Sequence, residues 1–187
     1  MKIGVLIGST RPGRVGAAIG QWVFDSLRDR DTAEYTLVDL LDYDLPLLAE
    51  PTVAGSAHKH YEVPQTQVWS ATIDALDAFL WVTPEYNRSV PAAMKNAFDV
   101  LYPEWMNKAV GFVGYGFDGG VRSVEHWRLI TAAAHMVGVR SQVALSTVTD
   151  FHDGVFTPLE RRTGELARVA DQVEQMAGLL APLRAGA

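Results

Sequence analysis

At 187 residues, 48% hydrophobic and 20% charged, the chain has the size and composition of one ordinary globular domain with a substantial core. The absence of cysteine excludes disulfides, thiolate metal sites, iron–sulfur clusters and cysteine nucleophiles, and a net charge of −6 argues against a nucleic-acid partner. No window approaches the length of an uninterrupted apolar membrane span, and the N-terminus enters an apolar strand without a basic leader, so the expected location is cytoplasmic, away from any membrane.

Strand-like and helix-like stretches alternate along residues 1–187, with no linker or repeat to divide them into more than one domain. Lys2 to Ile7 reads as a buried strand, near-continuously apolar as parallel strands are. The segment Gly8-Ser9-Thr10-Arg11-Pro12-Gly13-Arg14-Val15-Gly16 follows, and Ala17 to Arg28 then carries Ile19, Trp22, Val23, Phe24 and Leu27 at helical spacing. Tyr35 to Leu40 is a second strand. The stretch from Leu41 to Pro64 is long and irregular, which points to a functional or partner-facing segment. A helix over about residues 65–75 leads to a strand from Ala78 to Val82, and Pro84-Glu85-Tyr86-Asn87-Arg88-Ser89-Val90 precedes a helix from Ala92 to Leu101. Ala109 to Gly114 is the fourth strand, followed by a glycine-rich loop through Gly120 and a helix from Val121 to Val137, for which Gly138 offers a C-cap. Gln142 to Leu145 is the fifth strand, and a last helix spans about Pro158 to Leu180.

Five strands alternating with five helices give a parallel sheet covered on both faces, with right-handed crossovers. Ligands of such sheets lie beyond the carboxyl ends of the strands, where the strand order reverses. In the order 2-1-3-4-5, the loops Gly8–Gly16, Pro84–Ser89 and Gly114–Gly120 converge there. The first loop ends a strand and opens a helix, so its free amides and the positive helix end suit a phosphate, and two arginines strengthen the anion reading. No carboxylate stands between Met1 and Gln21 to neutralise them. The glycines at 8, 13, 16 and 20 do not make the dinucleotide pattern, and Arg14-Val15 replaces the Lys-Ser/Thr of a nucleotide-triphosphate loop. One phosphate, as in a mononucleotide, fits better, with Asn87 and the loop amides available to the pyrimidine edge of a flavin ring.

These residues resemble the NADPH-dependent FMN reductase family of flavodoxin-like proteins, which includes quinone, azo and chromate reductases. The resemblance rests on Gly8-Ser9-Thr10-Arg11, Asp44-Leu45-Pro46, Thr83-Pro84-Glu85-Tyr86-Asn87, Pro91-Ala92-Ala93-Met94-Lys95-Asn96-Ala97 and Gly114-Tyr115-Gly116-Phe117-Asp118-Gly119-Gly120. It implies a three-layer α/β sandwich with bound FMN. The phosphate would be held by Ser9, Arg11 and the amides around Val15, Gly16 and Ala17. The ring would lie against Pro84, Glu85, Tyr86 and Asn87, with Tyr115, Gly116, Asp118, Gly119 and Gly120 on its other side. It further implies NADPH or NADH as hydride donor to flavin N5, a quinone or similar small molecule as acceptor, and a homodimer or homotetramer with the site near the interface. Because many relatives carry serine near position 16, Arg14 and the amides are expected to take a larger share of the phosphate. No side chain need serve as a catalytic acid or nucleophile.

Two other readings compete. A flavodoxin-like electron carrier would lack nicotinamide activity; Arg11 and Arg14 argue against it. A Rossmann-type dehydrogenase would use Asp39 on the ribose but lacks the glycine fingerprint. His58 and His60 read as a surface pair rather than metal ligands, His126 and His135 as partner-facing or half-exposed, and Trp81, Trp105 and Trp127 as core. Tyr43 and Leu45 are placed as cover for the flavin or as subunit contacts.

Overall fold

The computed structural model of the chain describes residues 1–185. Its main sheet is built from β1 (Lys2–Ile7), β2 (Glu34–Asp39), β3 (Ala78–Pro84), β4 (Ala109–Gly116) and β5 (Val137–Ser146). They are all parallel, in the order 2-1-3-4-5. The helices are α1 (Gly16–Leu27), α2 (Pro64–Asp74), α3 (Ala92–Asp99), α4 (Val121–Ala133) and α5 (Arg161–Ala185). This is the covered parallel sheet that the alternating pattern predicts, in the flavodoxin-like sandwich that the resemblance implies.

β3 shows why the layers form. All seven of its residues are buried, and the pleat sends alternate side chains to opposite faces. Phe79 and Trp81 enter the core under α2, α3 and α4, while Ala78, Leu80 and Val82 enter the one under α1 and α5. Trp69, Trp81, Trp105 and Trp127 are fully buried in the first core, so the tryptophans are packing residues. Their edge-to-face contacts, such as Trp81 on Trp127 with centroids 4.9 Å apart, suit the quadrupoles of the rings.

Several boundaries differ from the sequence pattern. α4 stops at Ala133, and the left-handed residue beyond it is His135, with φ 56°, not a glycine. Met136 N–H bonds back to the Thr131 carbonyl at 3.1 Å, closing the helix end. Gly138 therefore sits inside β5, which starts five residues before the predicted strand. A small antiparallel hairpin, β6 (Phe151–His152) and β7 (Val155–Phe156), precedes α5 and packs Phe156 edge-on against Trp22. Its base is fixed by buried Asp150, which accepts from the Arg162 guanidinium at 2.8 and 2.9 Å and from the Ser146 and Leu159 amides. Burial alone would raise the Asp150 pKa, but Arg162 and the amides hold it below its ordinary value.

The irregular stretch after β2 is clipped to the body. Asn96 of α3 accepts from Leu48 N–H at 2.8 Å and donates to the Pro46 carbonyl at 2.9 Å. Buried Glu104 accepts from the Tyr61 hydroxyl at 2.9 Å and the Ser70 hydroxyl at 2.6 Å. Tyr43 does not cover the candidate site. It packs edge-on against Trp69 and donates to Thr72, which makes it part of the core margin.

Candidate functional site

The three loops meet beyond the carboxyl ends of β1, β3 and β4. The first begins with Gly8, whose amide donates to the Val82 carbonyl and so continues the pairing of β1 with β3. Ser9 is buried, and its Oγ lies 2.8 Å from the Tyr86 hydroxyl, which ties the first loop to the second. A turn closed by Arg14 N–H on the Arg11 carbonyl, with Gly13 at φ 70°, then delivers the chain to α1. Val15, the N-cap residue, makes no side-chain cap, and the amides of Val15, Gly16, Ala17 and Ala18 donate to no acceptor among the described residues. Four free donors at a positive helix end are an anion cradle.

The two arginines do different things. Arg14 donates through Nη1 and Nη2 to the two oxygens of Asp39, both at 2.5 Å, and through Nη1 to the Ser9 carbonyl at 2.7 Å. The Asp39 hydrogen bond raises the Arg14 pKa, and its charge is compensated inside the protein. The expectation that Arg14 takes a larger share of the phosphate is therefore corrected: it braces the loop against β2. Asp39, which also accepts from Leu41 N–H, is occupied by the same contact and is not free for a ribose. Arg11 is exposed and forms no ion pair or side-chain hydrogen bond among the described residues. Of these two arginines it is the one left for a ligand.

In the second loop, Tyr86 and Ser89 exchange two backbone hydrogen bonds of 3.0 Å around Asn87 and Arg88, both left-handed at φ 48° and 69°. This is a type I′ turn, tolerated at Asn87 more readily than at most residues. Its tip is steadied by Ser89 Oγ, 2.9 Å from His126 Nδ1 of α4. Glu85 donates its own amide to the Tyr115 carbonyl, fixing the second loop to the third.

The carboxyl of Glu85, which also borders the cleft, is held by α4. It accepts from the Arg122 amide at 3.0 Å and from Arg122 Nη1 at 2.8 Å, while Asp118 pairs with the same guanidinium at 2.7 Å. Glu85 and Asp118, expected at the cofactor, thus clasp the second and third loops and cap α4. Arg122 carries no sequence signal for this role beyond its place two residues after a glycine pair. Gly120, the N-cap of α4 at φ 70°, must be glycine, since a Cβ would lie 2.4 Å from the Tyr115 amide.

Tyr115 is buried, and burial pushes its phenol pKa up, so it remains neutral. Its hydroxyl occupies the space beside Gly16, where an added Cβ would come within 2.5 Å. Arg11, Glu85, Tyr86 and Asn87 together bound a cleft of about 430 Å³. That brings the first and second loops to one space, with the Arg11 charge and the Asn87 turn around it. A ligand with one phosphate and a flat, hydrogen-bonding ring fits this donor set. His58 and His60 lie elsewhere, His60 Nδ1 being 2.6 Å from the His58 carbonyl, and no cluster of metal ligands forms among the described residues.

The chain is similar to known proteins in sequence and in fold. The sequence model described as NADPH-dependent FMN reductase matches residues 1–150. The chain is 31% identical over 179 residues to NAD(P)H-dependent FMN reductase C4B3.06c of Schizosaccharomyces pombe, covering 94% of this chain and 90% of that protein. It is 36% identical over 126 residues to NAD(P)H-dependent FMN reductase ntnL of a Nectria species, a match spanning 63% of that protein and 65% of this chain. Among solved structures, FerB, an NAD(P)H:(acceptor) oxidoreductase from Paracoccus denitrificans, superposes with a TM-score of 0.70 at 21% identity over 94% of this chain and 98% of that one, a likeness of fold.

Proposed function

Because the chain belongs to the NADPH-dependent FMN reductase family, we propose that it is an FMN-containing NAD(P)H-dependent oxidoreductase that reduces quinones or similar small acceptors. The observation that carries this reading is the cleft bounded by Arg11 and the Tyr86–Asn87 turn, next to the free first-turn amides of α1. The amides of Val15, Gly16 and Ala17, with Ser9 and Arg11, hold the phosphate dianion at the positive end of α1. Pro84, Tyr86 and Asn87 meet the ring, the Asn87 side chain offering both donor and acceptor to its polar edge. Tyr115, Gly116, Gly119 and Gly120 close the other side, held in place by the Glu85–Arg122–Asp118 clasp.

Bound FMN supplies the two-electron chemistry between nicotinamide and acceptor. The chain's residues bind, orient and shield. The protein is proposed to assemble as a homodimer or homotetramer, as the family resemblance implies, which sedimentation equilibrium reads directly.

The test is an absorbance spectrum of the purified protein before and after anaerobic NADPH or NADH. The protein should be yellow, or take up added FMN, and bleach with the nucleotide. A colourless protein indifferent to FMN would end this reading, and one that binds FMN without oxidising NAD(P)H would be an electron carrier.

A further inference from the structure

We propose that the aromatic core is an electron relay with a light-driven activity of its own, in which Trp69, Trp105, Trp81 and Trp127 pass single electrons from a soluble thiol at Tyr43 to the flavin site; this rests on the FMN reading above. The rings form an unbroken line of contacts. Between centroids, Tyr43 lies 4.7 Å from Trp69, Trp69 6.2 Å from Trp105, Trp105 5.7 Å from Trp81, and Trp81 4.9 Å from Trp127. At the inner end, Trp127 Nε1 donates to Thr83 Oγ1 at 3.0 Å, and Thr83 immediately precedes Pro84, which the FMN reading sets against the ring. At the outer end, Tyr43 is half-buried on the margin of the core. Four of the chain's five tryptophans stand in this line, while Trp22 packs on the other face of the sheet.

Indole and phenol give up one electron far more readily than a phenyl ring. Phe98 also bridges Trp105 and Trp127, at 5.4 and 6.1 Å, but Trp81 is the oxidisable ring between them. Hydrogen-bond partners decide where the electron vacancy rests. An oxidised indole is acidic at Nε1, so the vacancy stays where that proton meets a base. Trp69 and Trp105 donate to the Ala97 and Phe98 carbonyls, Trp127 to a hydroxyl, and Trp81 Nε1 to nothing among the described residues. None of these partners retains a proton, so the vacancy passes on. Tyr43, with its hydroxyl 3.2 Å from Thr72 Oγ1 at the core margin, loses its proton to water and holds the vacancy. Under blue light Trp127 yields one electron to the excited flavin, the vacancy moves out to Tyr43, and a thiol returns a hydrogen atom there. Two such turns take FMN and one dithiol to reduced FMN and a cyclic disulfide. The two protons released at Tyr43 balance the two that the flavin takes up.

The FMN-loaded protein, illuminated without oxygen or nicotinamide in the presence of dithiothreitol, tests the relay by flavin bleaching against a dark control. Electron paramagnetic resonance of samples frozen under light, without the dithiol, reads the radical itself. Wild type should bleach and show a tyrosyl signal. Tyr43→Phe keeps the ring and loses one hydroxyl; it should lose that signal and most of the bleaching rate. Trp81→Phe gives up no hydrogen bond and should lose both as well, while its FMN affinity and NAD(P)H oxidation match wild type. Equal bleaching and an unchanged radical signal in Tyr43→Phe would overturn the proposal, even if Trp81→Phe fails to fold. A flavin-free arm separates the relay from the cofactor. An ultraviolet flash ejects electrons from the indoles, and the radical should settle on Tyr43, a signal that Tyr43→Phe removes; a radical that settles elsewhere overturns the relay. Failure to take up FMN would sink the oxidoreductase reading and leave that arm to decide whether the core conducts.

Discussion

Gly16 stands where a serine would be unsurprising in a phosphate loop, and the reason is Tyr115. The phenol fills the space a Cβ would need, so the first turn of α1 and the end of β4 approach more closely than any larger residue permits. Gly16→Ala should therefore cost about 1–3 kcal/mol in urea denaturation, as overpacking of a buried site does. Adding Tyr115→Phe removes the atom at 2.5 Å but leaves ring carbon at 3.3 Å, so the double variant should recover part of that loss, with a coupling of about 1 kcal/mol. Strict additivity would show that the two residues do not compete. The same loop separates two arginines that look equivalent in sequence. Arg11→Gln should weaken FMN binding by about tenfold, leaving the melting temperature of the flavin-free protein unchanged. Arg14→Gln leaves Asp39 half-buried without its partner and should cost about 2 kcal/mol of stability in the flavin-free protein. Fluorescence titration with FMN and thermal unfolding separate the two outcomes.

At the scale of elements, the clasp of Glu85, Arg122 and Asp118 makes the second and third loops one unit. Glu85→Ala removes both the cap on α4 and the ion pair, while Glu85→Gln retains an acceptor for the Arg122 amide. FMN affinity should fall several-fold in the first and less in the second, read by fluorescence titration; equal losses would show that the cap is irrelevant. None of this was legible in the sequence, because a carboxylate in a ligand loop reads as ligand-facing until the partner helix is placed. What was legible depended on local chemistry. The all-apolar β3 run and the glycine-rich first loop declare themselves through periodicity and fixed backbone preferences. The end of α4 did not, since the left-handed residue is His135 and the nearest downstream glycine belongs to β5. Nor did the 151–156 hairpin, whose two-residue strands are too short for alternation and which depends on Asp150 meeting Arg162 twelve positions away.

Across the whole molecule, the sheet separates two ends with different duties. Ligand chemistry gathers at the carboxyl ends of the strands, while the opposite end holds Lys108, just before β4, roughly 25 Å away by the length of that strand. Lys108 is buried, donates to the Ile73 and Asp74 carbonyls at the end of α2, and lies over the Phe79 ring. Burial lowers its pKa from 10.5 to about 8. Between those values the unfolded chain binds a proton that the folded chain does not, so this residue makes stability rise with pH from about 8 to about 10.5. Tyr35, Tyr61 and Tyr115 act in the opposite sense. Burial holds their phenols above the ordinary value, so only the unfolded chain loses those protons above about pH 10, and stability falls there. Urea denaturation at about pH 7.5 and about pH 9.5 should show a gain of about 2 kcal/mol attributable to Lys108. Lys108→Met abolishes that gain, although it also removes two hydrogen bonds whose loss is the same at both pH values. The observable is therefore the change in slope between wild type and variant, not the sign of the difference at one pH. Parallel slopes would mean that the amine keeps its ordinary affinity for protons in the fold. FMN affinity, set at the far end of the sheet, should not distinguish the two proteins at either pH.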